Sequence, residues 1–244
     1  MMQYRETVLD AGVLVLVTRV PLNGRQIDMS RPRGARREAS SAAQQFMNTK
    51  HLYQRLELLL AANIRPGDLI GVLTYDDQHL PGSRRDVKAD FSYFKRRLNK
   101  LCEKNGLPRL TIISNIEYSH EDTIHKGRRW HIHYAISSSE NRYAELMMQA
   151  WTRGIVLRER FKLDPETGYL ALAKYMCKDA PEYVGEHTYF LTQNAKKPVK
   201  DVQIIEADAP PLLPNGCRLL VNAPISTPGG SVQRLKYLTA AVGV

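Results

Sequence analysis

Six residues, Arg129-Trp-His-Ile-His-Tyr134, carry the strongest chemical signal in the chain. Side chains of a strand alternate, so His131 and His133 share one face while Trp130, Ile132 and Tyr134 share the other, leaving one face to pack and one to bind. Upstream, Thr111, Ile113, Asn115 and Glu117 also share a face. A hairpin would set Glu117 opposite the two histidines. Two imidazoles and one carboxylate leave coordination positions open, which suits Mg²⁺, Mn²⁺ or another borderline divalent ion better than a closed structural zinc. Taken alone, a His-x-His pair reads more readily as a hydrogen-bonded or solvent-facing pair on a sheet; the carboxylate on the neighbouring strand, in a basic chain, reverses that preference. His120 and His125 lie in the polar connection 119–127 and are poorer ligands, because a loop holds coordination geometry badly.

The second feature is Ala173-Lys-Tyr-Met-Cys-Lys178, in which Tyr175 and Lys178 stand three apart and so on one face of a helix. A phenol is unreactive at its ordinary pKa of about 10. Attack on phosphorus therefore needs a nearby cation or metal to stabilise the phenolate and the charge that builds on the phosphate. Spacing alone leaves open the plainer reading, a half-buried helix tyrosine beside a surface lysine.

The elements that must position these groups are legible over most of the chain. Phe46, Tyr53, Leu56 and Leu60 predict a helix over 41–63, which Arg65-Pro-Gly-Asp68 ends, and Leu69–Tyr75 reads as a buried strand. Between 86 and 104, Val87, Phe91, Phe94, Leu98 and Leu101 step by four, three, four and three, the mark of an amphipathic helix that Gly106 and Pro108 stop. Strands at 110–118 and 128–137 follow, then a helix over 141–151, a strand over 155–161 and a helix over 166–179. Before residue 41 the sequence offers one apolar run, Val13-Leu-Val-Leu-Val17, and the basic stretch Arg31–Arg37; after 200, five prolines and Gly229-Gly230 predict loops with at most a short strand at 218–221.

Charge narrows the partner. Among 244 residues, 35 Lys and Arg stand against 25 Asp and Glu, a net of +10 that favours a polyanion. Residues 84–109 hold nine cations against three acids, a net of +6, so more than half of the excess sits in this one segment. Lys95, Arg96, Arg97, Lys100 and Lys104 are the expected phosphate contacts, with a merely solvated helix face as the competing interpretation. Cys102, Cys177 and Cys217 form no Cys-x-x-Cys pair, which excludes a disulfide framework and a thiolate zinc site and fits a reducing cytoplasm. The run 13–17 is far short of the ~20 apolar residues a membrane span needs, and the first residues lack a signal-peptide pattern.

The ordered combination of Glu117, Trp130-His-Ile-His133 and Lys174-Tyr-Met-Cys-Lys178 resembles the HUH endonucleases that initiate rolling-circle replication. It is most similar to replication-associated proteins of phages, plasmids and integrated elements related to the filamentous-phage gene II and microvirus initiators. The resemblance runs from about Asn48 to Pro198 and takes in Pro66–Tyr75, Phe94-Lys-Arg-Arg-Leu98, Trp151-Thr-Arg-Gly154 and Leu191–Pro198. It implies an α+β fold, a central antiparallel sheet of about five strands with flanking helices. It also implies that His131, His133 and Glu117 hold Mg²⁺ or Mn²⁺, that Tyr175 attacks a DNA phosphodiester to leave a 5′-phosphotyrosine and a free 3′-hydroxyl, and that Lys178 steadies the metal or phosphate charge. Related initiators often carry two tyrosines four apart. Here Ala171 occupies the earlier position, so the chain reads as a single-tyrosine enzyme; Tyr169, six residues before Tyr175, is out of phase for a second nucleophile.

The expected organisation is an N-terminal strand and basic arm over 1–40, the endonuclease domain over 41–200 and a loop-rich tail over 201–244. Expected partners are single-stranded or hairpin origin DNA and, beyond it, a host helicase and polymerase; no membrane is expected, and the location is the cytoplasm of a bacterial host. Two alternatives share parts of the evidence. A single-tyrosine transposase or a relaxase would use the same chemistry, and a non-catalytic single-strand-binding module would use Tyr75, Trp130 and Tyr134 as stacking platforms.

Overall fold

The computed structural model describes residues 3–22, 42–119, 128–177, 188–206, 209–210, 213–227 and 230–240. Contacts divide the chain into two units, one of Met1–Ala62, Glu166–Gly168 and Lys197–Val244 and the other of Asn63–Pro165 and Tyr169–Lys196. Each has its own five-stranded sheet, and all strand pairs in both are antiparallel. The fold is α+β, with one more sheet than the sequence reading anticipates.

The first unit contains β1 (Gln3–Asp10), β2 (Leu14–Pro21), α1 (Ala42–Asn63), β8 (Val199–Glu206), β9 (Arg218–Thr227) and β10 (Gly230–Leu238), in the sheet order β8-β1-β2-β10-β9. The tail expected to be loop-rich therefore supplies three of its strands. β8 lies at an edge and is exposed on both faces, so its sequence has no inside-outside alternation to read. Pro224 sits within β9, the opposite edge strand, where a missing N–H is tolerated. β1 is hard to read for another reason: its inward-facing residue is the acidic Glu6, buried where Arg19 of β2 pairs with it at 2.6 Å and Gln203 Nε2 donates to it at 2.6 Å. Arg19 also donates to the carbonyls of Ala209 and Pro210. On α1, Glu57 is buried against Lys236 of β10 at 2.6 Å.

The second unit holds β3 (Leu69–Thr74), α2 (Arg84–Lys104), β4 (Ile112–Ser119), β5 (Arg129–Ile136), α3 (Asn141–Ala150), β6 (Val156–Arg160), α4 (Leu170–Met176) and β7 (Tyr189–Leu191), in the order β6-β3-β5-β4-β7. The apolar stripe of α2 forms as its periodicity requires: Val87, Phe91, Phe94, Leu98 and Cys102 are buried against Leu73, Ile116, Ile132 and Tyr134 of the sheet and Tyr143, Met147 and Trp151 of the α3 region. Ser83 caps the helix by accepting from the Asp86 amide, and Asn105 closes it, donating through Nδ2 to Leu101 O. α4 begins at Leu170, four residues later than expected, because Gly168 adopts φ +66°, outside any right-handed helix.

Two further motif segments of the sequence are braces. Trp151 donates through Nε1 to Thr74 O at 2.9 Å, and a Cβ on Gly154 would lie 2.3 Å from that same oxygen, so only glycine lets the segment close over the end of β3. Thr192 hydrogen-bonds the Ile112 backbone twice, donating through its N–H and accepting at its hydroxyl, while Asn63 and Lys196 bond reciprocally, which fixes the sheet's β7 edge.

Candidate active site

The β4–β5 register places Glu117 opposite His131 and Asn115 opposite His133. All four side chains lie on the sheet face turned away from α2 and α3, and all four are buried. The sequence expectation that Glu117 faces the histidines thus holds residue by residue. His133 Nε2 hydrogen-bonds directly to the Glu117 carboxylate. Its Nδ1 is buried without a hydrogen-bond partner among the described residues. A buried imidazole beside a carboxylate holds a fixed orientation, as metal ligands and proton carriers both require.

Among the described residues, no three His, Cys, Asp or Glu side chains are gathered into a ready-made metal cage. What the face offers is a donor pair already in contact, Glu117 and His133, with His131 across the ladder from Glu117. Two nitrogens and a carboxylate fit an oxygen- and nitrogen-seeking divalent ion.

α4 lies over this face. The ring of Tyr175 meets that of His133 edge-on, with centroids 4.9 Å apart and planes at 85°, and Tyr175 remains 44% exposed. A substrate can therefore reach the phenol from solvent. Asn115 holds the helix in place by donating through Nδ2 to the carbonyl of Met176, the residue after Tyr175. Strand alternation alone sets Asn115, two residues before Glu117, on this face; its hold on the helix comes from packing. Cys177 follows, buried, its thiol pushed up to about 12 by burial and secondarily by the charge of Glu117. It stays a protonated, inert group at neutral pH.

Tyr169 has a different position altogether. It is 0% exposed, its hydroxyl donates to Ile64 O at 2.8 Å, and its ring lies against Phe161 with centroids 5.2 Å apart. Burial raises its pKa, Arg65 opposing the shift. No substrate meets that oxygen in this arrangement. Lys178, His120, His125 and the basic stretch 31–37 lie outside the described residues.

The basic residues of α2 are on the layer over the sheet's other face, so they do not line the histidine site. Arg96, Lys100 and Lys104 are exposed, Arg97 is half-buried, and Lys95 folds over the Phe91 ring at 4.8 Å, its pKa lowered by burial. Of the three aromatics expected to stack bases, Tyr75 and Tyr134 are buried, Tyr134 donating to Leu157 O, and only Trp130 reaches the surface. Tyr75 and Tyr134 therefore form no open platform, because their face packs α2. No helix among the described residues is long and apolar enough to cross a membrane.

No curated protein and no solved structure matches the chain. Residues 68–180 match a family model, that of the replication-associated proteins of the ORF2 and gene II protein type. The span runs from just before β3 to just past α4 and so contains Glu117, His131, His133 and Tyr175. Over the segment that builds the site, the chain is similar to replication-associated proteins.

Proposed function

We propose that the chain is a rolling-circle replication initiator of the HUH type, which nicks single-stranded or hairpin origin DNA with one tyrosine and later rejoins the ends. The observation that carries this reading is the exposed Tyr175 ring set against His133, which is itself bonded to Glu117. Tyr169, by contrast, is sealed from solvent. The similarity to replication-associated proteins supports the same assignment.

Tyr175 Oη attacks the phosphorus, its proton passing to water, to which the side chain is open. The bond to the 3′ oxygen breaks, that oxygen leaves with the electron pair and takes a proton from solvent, and the products are a 5′-phosphotyrosine and a 3′-hydroxyl that primes synthesis. Attack by a 3′-hydroxyl on the phosphotyrosine reverses the exchange and reseals the strand. His131, His133 and Glu117 would hold Mg²⁺ or Mn²⁺, which when bound neutralises charge on the scissile phosphate. His133 also fixes the ring of Tyr175, Asn115 fixes the turn that carries it, and Lys178 adds positive charge to the phosphate site. With Tyr169 buried, the enzyme works with a single nucleophile, in the cytoplasm of a bacterial host that supplies helicase and polymerase. A transposase or relaxase would share each of these steps and differ in the DNA it cuts.

The test is incubation with single-stranded oligonucleotides tiling the DNA around its own gene, plus Mn²⁺, followed by a denaturing gel. A covalent protein–DNA band that disappears with EDTA is the expected result. Tight binding with no band at any position would leave a non-catalytic binding module in its place.

A further inference from the structure

A cavity of about 300 Å³ opens at the end of the β4–β5 pair, between the Leu80–Gly82 turn that precedes α2 and the side chains of Tyr118, Arg128, Arg129 and Trp130. Tyr118 and Trp130 are cross-strand partners with ring centroids 4.7 Å apart. The Arg128 guanidinium lies 5.0 Å from the Tyr118 ring centroid and donates to the Tyr118 carbonyl at 2.9 Å, so it is held against the ring. Arg129 is held by Asp77. An aromatic wall and the guanidinium stacked beside it select a ligand that is both planar and anionic. The volume falls at the small end of ligand sites, right for one aromatic heterocycle and its phosphate.

We infer that this cavity is a subsite for one unpaired nucleobase of single-stranded DNA, stacked on Trp130, which Tyr118 backs, with its phosphate on Arg128. The inference rests on the strand-nicking function proposed above and adds to it where a flanking base is gripped. Tyr118 is next to Glu117 and Trp130 next to His131, so strand alternation sets the cavity and the histidine site on opposite faces of the same two strands. A DNA strand passing round this end of the sheet meets both. One base anchored here would set the register of the phosphate offered to Tyr175. A peptide fits less well, because the Arg128 guanidinium asks for negative charge beside an aromatic wall that asks for a flat ring.

Trp130 gives the experiment its readout, because the chain has two tryptophans and Trp151 is buried in the core. Full-length protein is titrated with oligo(dT) and with an all-abasic strand of equal length, which has every phosphate and no base. Affinity is followed by anisotropy, and stacking by tryptophan emission. Oligo(dT) should quench emission saturably, the abasic strand should not, and Trp130→Phe should abolish the quench. Tyr118→Leu and Arg128→Ala should each weaken oligo(dT) roughly tenfold, the effect of losing one stacked base or its cation. Binding of oligo(dT) with no quench in the wild-type protein, where folding of a variant is not in question, overturns the subsite even if the covalent adduct forms. A quench that depends on Trp130 without any adduct sustains the subsite and sinks the nicking reading. Failure to bind either strand removes both.

Discussion

Tyr175 and His133 meet edge-on, with ring centroids 4.9 Å apart. They come from elements well separated in sequence, α4 and β5. The contact orients a solvent-reachable phenol over a buried imidazole–carboxylate pair, which is the relationship a tyrosine nucleophile needs: a ring fixed in direction and open to substrate.

Tyr175→Phe keeps the ring and its contact with His133, so the variant should fold and bind single-stranded DNA as the parent does while forming no covalent adduct. The defect lies in the chemical step, because binding energy does not replace a missing nucleophile. Tyr169→Phe should still form the adduct, and should lower unfolding free energy by about 1–3 kcal/mol, since Ile64 O loses its buried donor. An adduct on Tyr169 in a peptide map of the digested complex would reverse the assignment.

Metal binding should register as stability. Mn²⁺ at about a hundredfold excess over its Kd should add roughly 2.7 kcal/mol to the folded state. The matching rise in melting temperature should vanish in His133→Ala and in Glu117→Gln. An equal rise in both variants places the ion elsewhere.

Asn115 is a positioning residue. Asn115→Ala leaves the Met176 carbonyl without its donor and lets α4 shift, so adduct formation should slow more than about tenfold while Mn²⁺-induced stabilisation persists. A variant that lost both to the same degree would show that Asn115 serves the fold alone.

Neutralising Arg96, Arg97 and Lys100 together to Gln should weaken single-strand binding at all sequences and flatten the slope of log K against log salt by about 2, the value of three phosphate contacts on single-stranded DNA. Adduct formation at saturating DNA should be unaffected, because these side chains lie on the other layer from the histidines. An unchanged slope would make this helix face simply solvated.

How far the site was legible depended on how local its causes are. Alternation along 129–134 and 111–117 is a property of any strand, so the shared face of His131, His133, Asn115 and Glu117 could be read before folding, and the α2 stripe followed from its 3.6-residue period. The exclusion of a second tyrosine was half-legible: helical phase set Tyr169 apart from Tyr175, but its burial against Phe161 and Ile64 depends on packing between distant segments. The first unit's sheet was illegible in β1 and in its edge strands. Inward charges at Glu6 and Arg19 cancel only in each other's presence, and edge strands such as β8 and β9 lack a buried face to impose a pattern or exclude a proline.

The sequence by itself determined the donor types, their phase on strand and helix, and the basic charge that calls for a polyanion. Tertiary structure alone decided which phenol stays open to solvent and which is sealed, that Asn115 pins the helix of Tyr175, and that Tyr118, Trp130 and Arg128 enclose a cavity on the far face. The reason is physical: residue type and period are fixed by covalent order, whereas burial and proximity arise only when segments far apart in the chain exclude water from each other.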